Sequence, residues 1–160
     1  MRTTLLPTMI ASAILVALPL GVHAQEKAVI AADAIAWGPS PSGLPAGAQA
    51  AVMAGDPGKR GVYVIRAKLP DGYAIPAHWH RKAEYVTVLS GTFNFGMGDR
   101  LDKSKADAVK AGGFFSAQPR MRHYGWAAGE TVVEISGMGP FDIQYVDKKD
   151  DPRKAKPSGQ

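Results

Sequence analysis

His78 and His80 stand two residues apart, Glu84 follows four residues later, and His123 lies far along the chain. On an extended strand, residues i and i+2 point to the same face, so the two close histidines would present their rings together. A hairpin between His80 and Glu84 would bring the carboxylate beside them, and His123, from a facing strand, would close the set. Three neutral imidazoles and a carboxylate suit a first-row divalent ion with open coordination positions. The chain has no cysteine. Thiolate zinc sites, disulfides, redox dithiols and cysteine nucleophiles are therefore excluded, while Fe, Mn, Ni, Cu and Zn all remain as the divalent transition metal. The bland alternative is an H-x-H pair on the surface with no ion at all.

The surroundings read as short strands. In Val62–Leu69, residues Tyr63, Ile65, Ala67 and Leu69 fall on one face and Arg66 and Lys68 on the other, the alternation of a half-buried strand. Further strands are expected at Tyr73–His80, Glu84–Leu89, Thr92–Met97, Phe114–Ala117, Thr131–Ser136 and Phe141–Val146. Pro70-Asp71-Gly72, Ser90-Gly91 and Gly137-Met138-Gly139 read as turns between them. Asp99–Ala108 is briefly helical or a polar loop. Many short strands with frequent turns predict an all-β fold, a sandwich or barrel.

Gly72, His78, His80, Glu84 and Gly91 also stand at the spacing G-x5-H-x-H-x3-E-x6-G. This resembles the first motif of the cupin superfamily at every fixed position. The second motif, G-x5-P-x-G-x2-H, is matched at Gly112 and His123, with Gln118 in place of the proline and Arg120 in place of the glycine. From Trp37 through Leu44–Gln49 and Gly55-Asp56-Pro57 to Gly139-Pro140-Phe141 the chain is similar to small secreted bacterial cupins. The resemblance implies a single jelly-roll-like β-barrel with His78, His80, Glu84 and His123 as metal ligands. It names no substrate, because fold does not give function.

Met9 to Leu20 is an apolar run too short to span a bilayer comfortably, and Val22-His23-Ala24 places small residues at −3 and −1 before Gln25. The expected organisation is a signal peptide at 1–24, an N-terminal arm at 25–50 and a barrel at 51–146. A charged flexible tail follows at 147–160. Such a protein would be periplasmic or secreted, with no membrane association after cleavage. With Arg2 set aside, 18 basic residues face 14 acidic ones. This mild excess without a recognisable module speaks against a nucleic-acid partner.

Aromatic residues crowd the ligands in sequence: Tyr73, Trp79, Tyr85, Phe93, Phe95, Phe115, Tyr124 and Trp126. Phe93 and Phe95 share one face and should line the barrel. Tyr85 and Leu89 have parity opposite to Glu84 and should face outward, which suggests a homodimer. Arg120 and Arg122, opposite Met121 and His123 if the segment is extended, could guide an anionic substrate or simply be solvated. No G-x-S-x-G elbow, phosphate loop or spare histidine is present in the expected mature chain. Two functions fit. One is a metal-dependent, dioxygenase-like oxidoreductase acting on a small organic molecule. The other is a non-catalytic sensor or carrier of a metal or small ligand.

Overall fold

The computed structural model describes residues 29–154. The expected signal segment, and the end of the tail beyond Lys154, lie outside them. Among the described residues there are nine strands: β1 (Gly38–Pro39), β2 (Gln49–Ala54), β3 (Gly61–Leu69), β4 (Ala74–Trp79), β5 (Glu84–Met97), β6 (Ala106–Lys110), β7 (Phe114–Ala117), β8 (His123–Gly139) and β9 (Gln144–Tyr145). All pairings are antiparallel. Among the described residues, no helix is long and apolar enough to cross a membrane.

Two long strands turn this ladder into a barrel. The last part of β8 pairs with β3 and with the first part of β5. Its first part pairs with β4 and with the last part of β5. One layer is thus β1-β2-β3-β8-β5-β7, and the other is β9-β4-β8-β5-β6, with β5 and β8 bending from one to the other. The bend in β5 falls where its register with β8 shifts, between Val88 and Thr92. Gly91 sits there with φ 75°, and a Cβ at that position would lie 2.4 Å from the Glu130 carbonyl oxygen. Only glycine fits this bulge.

Ser90-Gly91 is therefore a bulge inside a single strand, not a turn between two strands. Gly137-Met138-Gly139 likewise belongs to β8. The expected Phe141–Val146 strand shrinks to β9, and the polar segment after Asp99 becomes a short 3-10 turn (Lys103–Lys105) followed by β6. Strand β2, unnamed in the sequence reading, begins the barrel at Gln49.

Period 2 in β3 buries Tyr63, Ile65, Ala67 and Leu69 as expected. They pack with Val86, Val88, Phe93, Val133 and Ile135 in one core between the layers. The N-terminal arm adds β1 to the edge of β2, then turns to place Leu44 against Ile143 and Tyr145. Residues Asp147–Lys154 form two 3-10 turns, and Arg153 reaches back to the Ile143 carbonyl (3.0 Å) and the Asp151 carboxylate.

Candidate metal centre

The structure brings all four expected ligands to one place. His78, on β4, is paired across the ladder with His123, the first residue of β8. His80 lies just past the end of β4, and Glu84 opens β5. All four side chains are buried. The three histidines offer ligand atoms that lie within 4.8 Å of one another. Glu84 Oε2 stands 3.5 Å from His80 Nε2 and 3.7 Å from His123 Nε2.

Each imidazole is held by its other nitrogen. His78 Nδ1 faces the Pro76 carbonyl at 2.7 Å, His123 Nδ1 faces that of Met121 at 2.9 Å, and His80 Nδ1 faces that of Asp142. A carbonyl only accepts, so each Nδ1 must carry a proton, and in the neutral ring that a metal requires each Nε2 is then a lone pair. The Nε2 atoms of His80 and His123 are buried without any hydrogen-bond partner. An orphaned buried acceptor is costly unless something fills the gap, and imidazoles pinned at Nδ1 by backbone carbonyls are the usual form of metal-binding histidines. Two ligand atoms ~2.1 Å from one ion in near-tetrahedral or octahedral geometry lie ~3.0–3.4 Å apart. The observed 3.5 and 3.7 Å are close to that and too long for good hydrogen bonds. The donor set fits a divalent ion.

Burial, together with the neighbouring His123 and His80 rings, depresses His78 to about 3, so it stays neutral. Burial also works to lower His80, but Glu84 and the Asp142 carbonyl outweigh it and raise that ring. Burial works to raise Glu84, yet the adjacent His123 and His80 hold its carboxyl below the ordinary range. Glu84 is thus a carboxylate, as a charged oxygen ligand must be.

The degenerate second motif has a physical reading. Met121 N–H donates to the Gln118 carbonyl at 2.9 Å, closing a β-turn with Pro119 at its second position and Arg120 at its third. Arg120 has φ 64°, and it is the only non-glycine with positive φ among the described residues. Proline at i+1 and positive φ at i+2 are the marks of a type II turn, which prefers glycine where Arg120 stands. The turn forms nonetheless and is tied to the ligand loop, because Arg120 N–H donates to the His80 carbonyl at 2.8 Å. Gln118–His123 is therefore not extended, which removes the premise for placing Arg120 and Arg122 by strand parity. Arg122 pairs with Asp99 at 2.7 Å, and neither arginine lines the cavity at the histidines.

Several contributors carried no sequence signal. The Asp142, Pro76 and Met121 carbonyls orient the rings, and a backbone carbonyl is the same in every residue type. Phe95, expected to line the barrel, lies 5.6 Å from His123, and Phe141 packs 5.6 Å from His80.

Neither a family model nor a curated protein matches the chain. Solved structures do. A candidate acetylacetone dioxygenase from Methylibium petroleiphilum PM1 superposes with TM-score 0.59 at 17% identity, over 78% of this chain and 83% of that one. An RmlC-like cupin from Shewanella frigidimarina NCIMB 400 gives 0.55 at 12% identity, over 70% and 90%. The fold is the cupin fold. An oxalate oxidase is similar at TM-score 0.50 and 20% identity, over 67% of this chain and 59% of that one. In this cupin barrel the histidine cluster sits at the inner wall, as the first-motif spacing implies.

Proposed function

We propose that this cupin binds one divalent first-row metal through His78, His80, Glu84 and His123 and oxidises a small organic molecule with O₂. The observation that carries the reading is the set of carbonyl-pinned imidazoles whose free nitrogens converge on a buried carboxylate. A bound redox metal would supply the electron-transfer and Lewis-acid chemistry. The chain's own residues hold that centre in an apolar cavity. Pro76, Asp142 and Met121 fix the ring orientations, Glu84 contributes a negative oxygen, and the apolar core strands wall the cavity. The dioxygenase and oxidase among the structures of similar fold support the class without naming a substrate.

A second reading, a metal or small-ligand sensor or carrier, is favoured by one observation. Apart from the four ligand residues, the cavity lining offers no carboxylate, imidazole or ammonium group for acid–base work. Oxygen uptake by protein loaded with Fe(II), Mn(II) or Zn(II), across a panel of small substrates, separates the two. Consumption with a redox metal and none with zinc is the enzymatic outcome. Bound redox metal with no uptake on any substrate leaves the binding module. Export to the periplasm follows from Met9–Leu20 and Val22-His23-Ala24, and an intact mass that includes Met1 in periplasmic protein would exclude it.

A further inference from the structure

The cavity at the histidines has a composition that restricts what can enter it. Besides His78, His80, Glu84 and His123, every lining residue is aliphatic, glycine or aromatic. Among the described residues no lysine, arginine, asparagine, glutamine, serine or threonine reaches it. The one further polar group, the Tyr124 hydroxyl, already donates to the Asp102 carbonyl at 2.9 Å. The nearby cations are turned elsewhere: Arg122 pairs with Asp99, and Arg81 is largely exposed and lies 3.8 Å from Asp142. The free space at the histidines is about 40 Å³.

One wall comes from outside the barrel. Leu44, carried by the N-terminal arm, lines the cavity with Ile143. Two tyrosine hydroxyls fasten the arm on either side of it, Tyr73 to the Pro45 carbonyl at 2.6 Å and Tyr145 to the Gly43 carbonyl at 2.8 Å. The fit is close, since a Cβ on Gly43 would lie 2.7 Å from Ile143 Cγ2.

We propose that the ligand of this site is a small molecule with one polar end for the histidine–carboxylate cluster and an uncharged, apolar remainder, and that Leu44 sets its length. For the polar end the inference rests on the metal reading above; for the apolar remainder it rests on the cavity alone. A second charged group would be buried without a partner, which an apolar wall strongly disfavours. Ligands with a second charge on the remainder, such as zwitterions of this length, are thereby excluded. A single anionic end remains compatible, because a divalent ion beside Glu84 leaves one positive charge uncompensated.

Butyrate and β-alanine have the same number of heavy atoms and differ only in a terminal methyl or ammonium, so they isolate this effect. With zinc-loaded protein and the methyl resonances of Ile75, Ile135 and Ile143 as reporters, butyrate should bind at least about a hundredfold more tightly than β-alanine. In metal-free protein, 1-propanol should shift the same methyls. Leu44→Ala should tighten binding of 1-hexanol by about tenfold, the gain for two further buried methylenes, with zinc uptake unchanged. If that variant does not fold, Leu44→Val should give a smaller gain in the same direction. β-Alanine binding within about threefold of butyrate, or cavity methyls unmoved by propanol, would overturn the inference. Propanol shifts in a protein that takes up no zinc would sink the metal reading and support this one.

Discussion

Replacing Arg120 with glycine should make the protein more stable, although it removes a long side chain and a charge. Arg120 holds φ 64° at the third position of the turn before His123. A non-glycine residue in the left-handed region costs ~1–2 kcal/mol. Glycine relieves that cost but adds ~0.4–1 kcal/mol of unfolded-state freedom. The net expectation is a gain of about 0.5–1 kcal/mol. The side chain offsets little, since it is exposed. For a domain of this size, 1 kcal/mol corresponds to ~4 °C in Tm, so the rise should be about 2–4 °C. Arg120→Ala is the control, because it removes the same charge yet keeps a Cβ at positive φ, and its Tm should stay near that of the parent. Thermal unfolding followed by circular dichroism on the metal-free proteins measures both. A glycine variant no more stable than the alanine variant would refute the reasoning.

Glu84→Gln should weaken metal binding and shift preference among metals, because a charged oxygen ligand becomes neutral; competitive titration with Mn(II) and Zn(II) measures it, and unchanged affinities would exclude Glu84 as a ligand. Burial pushes the Tyr73 phenol up to about 12. The stability this represents is fully present below the unfolded value near pH 10 and is lost as pH rises through 12. Tyr73→Phe should flatten that alkaline loss of Tm, and an identical profile in both proteins would contradict the assignment. On the outer face, Tyr85 stacks on Phe114 at 6.5 Å, and Val62 pairs with Met138, all exposed. This face motivates a homodimer, and Tyr85→Lys should convert it to monomer in light scattering at tens of micromolar. Parent protein that is already monomeric there would remove the proposal.

The parts of the fold that were legible in the sequence were those where side-chain period and burial agree. Strand β3 alternates buried and solvent-facing residues and was readable from Tyr63 to Leu69. The cluster of candidate ligands was readable because His78, His80 and Glu84 are local, and no other histidine competes with His123 in the expected mature chain. Strand continuity was harder to see. Glycines at 91, 137 and 139 punctuate a sequence, but inside β5 and β8 they mark a bulge and close backbone approaches, which depend on strands far along the chain. Strand β6 was missed because it is an edge strand with largely exposed side chains, and so lacks apolar alternation. Arg120 misled in another way: the glycine position of the motif demands a backbone shape, and a proline one residue later than the motif's own still permits the turn.

Metal content is the most direct test of the central claim. Protein purified from its native compartment without an affinity tag should carry about one divalent transition ion per chain by elemental analysis. The His78→Ala/His80→Ala variant, folded by circular dichroism, should carry almost none. In metal-stripped parent, restoring the ion at a hundredfold excess over Kd should add ~2.7 kcal/mol of stability, which the double variant should lack. An equal metal content in parent and double variant, or no metal in either, would contradict a metal centre built on His78, His80, Glu84 and His123.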